Sequence, residues 1–129
     1  MKQIKLAAEM MARAYAPYSR FQVGCVVETH SGKTYGGCNV ENASYPATIC
    51  AERSAISNSV ADGSQDIKTI YLVASSEAPC LPCGICLQVI SEFGRDIKIV
   101  CASNDQKTIE EYKLSDLLPH GFNKTFLNA

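Results

Sequence analysis

Two short segments constrain the fold of this chain more than any other feature. Cys50-Ala51-Glu52-Arg53 opens one stretch of helical pattern, and Pro82-Cys83-Gly84-Ile85-Cys86 opens another. Thiols at a helix start meet unsatisfied backbone N–H groups and the positive end of the helix dipole, and both favour the thiolate. Cys83 and Cys86, three residues apart on one helix, face the same way. A fold that sets the two helix starts side by side adds Cys50 as a third sulfur and leaves a fourth tetrahedral position open. Three protein ligands with one open position describe a catalytic zinc ion, Zn2+. Glu52, two residues past Cys50, can then stand beside the metal without ligating it and handle the protons of a bound water.

The remaining pattern says how such a fold is built. Ile4, Ala7, Ala8, Met11 and Tyr15 recur at offsets of three and four and mark the apolar face of a helix over residues 2–15, ended by Pro17. Residues 21–29 and 34–39 read as strands of a hairpin around the turn Ser31-Gly32-Lys33. A helix follows over 50–61, stopped by Asp62-Gly63, and then a buried strand over 69–74. Residues 83–93 are helical again with Gly94 placed to end the helix, 97–102 form another strand, and 108–113 add an edge strand. The order α-β-β-α-β-α-β predicts an α/β fold of three layers, α/β/α, with a mixed, roughly five-stranded sheet in one domain over residues 1–129.

Composition narrows the partners. Twelve basic and 13 acidic residues give a net charge of -1, so the field that draws proteins to nucleic acid is missing. A neutral small molecule is the expected partner. Lys2, Lys5, Glu9 and Arg13 interrupt the apolar residues at the start, so no signal-peptide core is expected there, and no apolar run nears the roughly 20 residues that span a bilayer. A cytoplasmic protein without membrane contact is the expectation. Seven cysteines without a secretory signal point to metal or catalysis rather than disulfides.

Other readings of the cysteines stay open at this level. Cys50, Cys83 and Cys86 could be buried apolar residues or a structural zinc knot, although Glu52 and the lack of a fourth protein ligand speak against the knot. Cys80 makes a C-x₂-C-x₂-C run with Cys83 and Cys86 that would suit an iron–sulfur cluster, but the usual cysteine three residues on is absent. Cys80 otherwise reads as an inert loop thiol, and Cys25, Cys38 and Cys101 as core. From chemistry alone Asn39 and Glu41 are turn residues, and Phe21, Tyr45 and Phe122 are packing aromatics. Arg53 is either a surface arginine or a cation beside Cys50. His30 and His120 have no partner at ligand spacing.

The two segments together match the zinc deaminase signature H-x-E…P-C-x-x-C in its all-cysteine variant, with Cys50 in the histidine position. The chain resembles the small cytidine deaminases along most of its length. The matching runs are Ala14 to Ser19, Phe21 to Gly24, Gly37 to Ala43, Cys50 to Ala55, Pro82 to Cys86 with Gln88, and Leu117-Leu118-Pro119. The resemblance implies zinc held by Cys50, Cys83 and Cys86, with Glu52 as proton carrier. It also implies a sugar held by Asn39 and Glu41, Phe21 packed near the nucleoside, and the Ala51 backbone against the base. It further implies a homotetramer in which Tyr45 and Phe122 close the sites of neighbouring subunits. The implied reaction is hydrolytic deamination of cytidine or deoxycytidine to uridine or deoxyuridine plus ammonia, a step of pyrimidine salvage. The alternative is deamination of a modified or antibiotic cytosine nucleoside such as blasticidin S, and a non-enzymatic zinc or iron–sulfur module is a third class. Two positions depart from the family pattern. Leu87 stands where an arginine is common, which leaves Arg53 as the one cation of these motifs, and Pro46-Ala47 replaces a small residue followed by a larger apolar one.

Overall fold

The computed structural model describes residues 1–127. Its elements in chain order are α1 (Lys2–Ala12), β1 (Val23–Thr29), β2 (Thr34–Cys38), α2 (Ala51–Ala61), β3 (Ile67–Ala74), α3 (Gly84–Ser91), β4 (Lys98–Ala102), β5 (Ile109–Lys113) and the single turn α4 (Leu114–Leu117). Short 3-10 turns cover Tyr45–Ala47 and Lys124–Leu127. The strands form one five-stranded sheet in the order β2-β1-β3-β4-β5, in which β3 and β4 are parallel and every other neighbouring pair is antiparallel.

Side chains alternate across the sheet with a period of two. Cys25, Val27, Ile70, Leu72, Ile99 and Cys101 point to one face, where they are buried with Ala55 and Ile56 of α2, Leu87 and Ile90 of α3, and Leu114 of α4. Val26, Tyr71, Val73, Val100 and Ala102 point to the other face, with Ile4 and Ala7 of α1. Helices therefore cover both faces, which is the expected three-layer arrangement.

The topology fixes where a site can be. Both β2 and β3 run antiparallel to β1, so they run parallel to each other, and β3 runs parallel to β4. The crossovers β2-α2-β3 and β3-α3-β4 therefore start both helices at the same end of the sheet, outside the carboxyl ends of the strands, where ligands of open α/β sheets bind. The start of β1 and the residues after β2 lie at that same end. Gly37 lets α2 sit tightly there: a Cβ on it would lie 2.4 Å from the Ala55 nitrogen and 2.8 Å from the Ala51 carbonyl oxygen.

Several bounds differ from the sequence reading. The first helix ends at Ala12 rather than near residue 15, well before Pro17. Tyr15 instead donates its N–H to Asn39 O at 3.0 Å and accepts from Glu41 N–H at 2.8 Å, so a tertiary bridge takes the backbone groups that helix continuation would have used. The helices expected over 50–61 and 83–93 begin one residue later, because Cys50 and Cys83 are extended cap residues, and the second stops at Ser91. Strand β3 starts at Ile67, two residues early, and α4 lies in a stretch with no helical expectation.

Candidate active site

Two helix starts and three loops converge on a cavity of about 280 Å³ at this end of the sheet. Cys50 and Cys83 are the N-cap residues of α2 and α3, and Cys86 lies in the first turn of α3. Their sulfurs lie within 4.8 Å of one another, and this is the single cluster of metal-ligating side chains among the described residues. Cys80 stands outside it as a half-buried thiol pointing at the Leu81 carbonyl, so the sulfurs needed for an iron–sulfur cluster are not gathered. Cys25 and Cys101 are buried in the core as expected, while Cys38 is only half-buried.

The electrostatics suit a cation. The Cys50 thiol is pulled down to about 5, chiefly by a hydrogen bond from the Cys86 thiol, with the Arg53 guanidinium helping and burial opposing. Cys86 is correspondingly raised by sharing its proton with Cys50 and by burial. The two titrate as a pair, with Cys50 the first to become a thiolate. Arg53 Nη2 donates to the Thr48 carbonyl at 2.8 Å, while its buried Nε finds no acceptor among the described residues. An orphaned buried donor is costly, and it lies beside sulfurs that become anionic when a metal binds. Zinc–sulfur bonds of about 2.3 Å in a tetrahedron put sulfurs roughly 3.8 Å apart, which this cluster accommodates. The donor set fits Zn2+.

Glu52 is buried against the cluster at 6% exposure. Burial pushes its carboxyl above the ordinary carboxylate range, and the neighbouring Cys50 charge adds to the rise. Cys50, Ala51, Glu52 and Cys83 line the cavity, and Phe21, Val23 and Leu72 add apolar surface to its lining.

Asn39 and Glu41 line the same cavity, each already committed in part. Asn39 accepts the Val23 N–H on Oδ1 at 2.9 Å and donates from Nδ2 to Phe21 O at 2.8 Å, which leaves one N–H. Glu41 takes the N–H groups of Tyr18 and Ser19 on Oε1, at 2.9 and 3.1 Å, and the Ser19 hydroxyl on Oε2. The hydrogen bonds from Ser19 in particular hold its carboxyl below the usual range. Ser19, Thr48, Cys80 and Leu81 also line the cavity and were given no binding role by the sequence. Ser19 lies inside a matching run, but its role appears only once the turn is folded back onto Glu41.

Tyr45 and Phe122 do not line the cavity. Tyr45 is 73% exposed and borders an adjoining groove with Tyr18, Ser19, Glu41, Asn42 and Thr48. Phe122 is exposed, stacks on Phe126 at 5.4 Å, and accepts Gln88 Nε2–H on its carbonyl at 2.8 Å. The two departures also fall outside the cavity lining: Leu87 is buried in the core beneath α3, and Pro46-Ala47 form an exposed 3-10 turn.

Known proteins share both pattern and fold. Residues 1–103 match the family model for the cytidine and deoxycytidylate deaminase zinc-binding region. A cytidine deaminase of Sporosarcina psychrophila is 41% identical over 127 residues, 98% of this chain and 93% of that protein. One from Mycoplasma genitalium is 36% identical over 95% of this chain and 94% of its own length. The crystal structure of cytidine deaminase from Burkholderia pseudomallei is similar with a TM-score of 0.89 at 39% identity, over 94% of this chain and 97% of that one. With a family match across most of its length and such relatives along nearly all of it, the chain belongs to the zinc-binding cytidine and deoxycytidylate deaminases.

Proposed function

We propose that this protein hydrolytically deaminates cytidine and deoxycytidine to uridine and deoxyuridine, releasing ammonia. The observation that carries the reading is one cavity lined by buried Glu52, by Cys50 and Cys83 of the three-thiol cluster, and by Asn39 with Glu41. When bound by Cys50, Cys83 and Cys86, zinc supplies Lewis acidity and makes water nucleophilic at neutral pH. Glu52 takes the proton that the attacking water gives up as it adds to C4, delivers it to N3 of the ring, and carries the next one to the departing amino nitrogen. Burial raises its carboxyl above the ordinary range, which makes it a better proton acceptor than an exposed glutamate. The Ala51 backbone borders the base, and Phe21, Val23 and Leu72 flank it with apolar surface.

At the sugar end the hydrogen-bond inventory leaves one N–H on Asn39 and about one acceptor site on Glu41. One hydroxyl satisfies both, so ribose and 2′-deoxyribose are both accepted. Among the described residues no lysine, arginine or histidine lines the cavity or the groove beside it, and Glu41 is anionic. A 5′-phosphate would find no cationic side chain in this lining, which favours free nucleosides over deoxycytidylate.

The cavity shares Ser19, Glu41 and Thr48 with the groove that Tyr45 borders, and the exposed Tyr45 and Phe122 are the aromatics that the family resemblance assigns to neighbouring sites. A homotetramer that shares its sites accounts for their exposure. No helix among the described residues is long and apolar enough to cross a membrane, and action on free nucleosides in the cytoplasm, in pyrimidine salvage, accords with an unpaired set of cysteines.

The test is a panel of cytidine, deoxycytidine, free cytosine, deoxycytidylate and blasticidin S, with ammonia as readout. Hydrogen bonds to charged groups contribute about 1.5–3 kcal/mol each, so kcat/KM for cytosine should be about 10-fold to 150-fold below that for cytidine. Activity confined to blasticidin S would move the enzyme to the antibiotic-nucleoside reading. Equal turnover of cytosine and its nucleosides would remove the sugar clamp.

A further inference from the structure

We propose that Ser19 is a positioning residue that aims the Glu41 carboxylate at a sugar hydroxyl, so that the Tyr18–Ser19 turn, and not Glu41 alone, sets the enzyme's demand for that hydroxyl. The inference rests on the nucleoside-deaminase reading above.

An ionised carboxylate offers about four acceptor sites, two on each oxygen. On Glu41 the two backbone N–H groups of Tyr18 and Ser19 occupy Oε1, and the Ser19 hydroxyl occupies one site of Oε2. The site that remains is therefore on Oε2, the oxygen that Ser19 holds. The serine is itself fixed, because its Oγ accepts the Phe21 N–H at 3.0 Å while it donates to Glu41. Arg20, between these two residues, has a left-handed backbone with φ of 59° and donates its N–H to Ala16 O at 3.0 Å, which closes the turn. Phe21 O accepts from Asn39 Nδ2. One hydrogen-bonded circuit thus joins Glu41, Ser19, Phe21 and Asn39, and Ser19, Phe21, Asn39 and Glu41 all line the cavity.

Removing the hydroxyl leaves Glu41 tethered through Oε1 alone. The carboxylate can then rotate about that tether, and water competes for both sites of Oε2. Glu41 stays ionised and in place by its backbone bonds, but its free acceptor is no longer aimed. Only substrates that use that acceptor should be affected.

The test compares cytidine with 2′,3′-dideoxycytidine, which lacks the 2′- and 3′-hydroxyls, in wild type, Ser19→Ala, Ser19→Thr, Glu41→Ala and the Ser19→Ala/Glu41→Ala double variant. The expected result is that Ser19→Ala shrinks the wild-type preference for cytidine in kcat/KM about tenfold, as expected for loss of one aimed charge-assisted hydrogen bond. Most of the change should fall in KM, Ser19→Thr should restore most of the preference, and Ser19→Ala should change it no further once Glu41 is alanine. Equal losses on both substrates, or an undiminished effect in the Glu41→Ala background, would overturn the inference while leaving the deaminase reading intact. A zinc-loaded wild type inactive on cytidine would overturn that reading and the inference with it. The comparison remains decisive even if Ser19→Ala lowers stability, because the preference is a ratio of kcat/KM on two substrates in one sample, from which the fraction of folded enzyme cancels.

Discussion

Arg53 reaches back five residues to donate from Nη2 to the Thr48 carbonyl at 2.8 Å, and this holds its guanidinium alongside the Cys50 thiol. Three thiolates on Zn2+ sum to a charge of -1, so a fixed cation beside them matters for the metal. Arg53→Ala should weaken zinc affinity by about 10-fold to 100-fold, the usual effect of removing a partner of a metal ligand. Arg53→Lys should recover only part, since a lysine lacks the planar fork that serves a carbonyl and a sulfur together. Competition with a chelator measures both, and unchanged affinity in Arg53→Ala would limit the arginine to bracing the Thr48 loop.

The cysteines should separate cleanly. Cys50, Cys83 and Cys86 cluster while Cys80 stands apart, so Cys80→Ala should retain one zinc per chain and Cys83→Ala should lose it. Metal analysis of the purified variants decides the matter. Zinc kept in Cys83→Ala and lost in Cys80→Ala would reverse the assignment.

Burial of Glu52 has a consequence for stability in the metal-free protein. Its folded-state pKa is raised, so its favourable contribution is present below the unfolded value and lost as pH climbs through the folded one. Glu52→Gln keeps the shape and carries no charge at any pH. The variant should therefore gain in Tm over metal-free wild type at about pH 8 and gain little at about pH 4. A difference that does not change with pH would show that the buried carboxylate is not strained by its surroundings.

Tyr45 and Phe122 present large exposed aromatic surface away from their own cavity. Light scattering at micromolar concentration should show a four-chain particle, and Tyr45→Ala should weaken both the assembly and kcat/KM. A fully active monomer would contradict shared sites.

Much of this architecture is readable from residue order. The short apolar runs of β1, β3 and β4 and the helix starts at Cys50 and Cys83 follow from local physics, and the sheet topology then brings the two starts together. What local pattern does not carry is a bond between distant segments. Tyr15 leaves its helix to bridge Val40, and the Tyr18–Ser19 turn fills three acceptor sites of Glu41 across more than twenty residues. Leu87 shows the converse: read as a missing charge near the metal, it faces the core, where its packing against the sheet decides its identity.

The central claim is that a three-cysteine zinc centre with Glu52 as proton carrier deaminates cytidine. The most direct measurement is uridine formation from cytidine by wild type and Glu52→Gln, with zinc content determined on the same samples. Both proteins should carry one zinc per chain, and the variant should be slower by at least about 10²-fold, the smaller end of the contribution of a positioned acid–base group. A zinc-loaded Glu52→Gln enzyme turning over cytidine at a near wild-type rate would contradict the account.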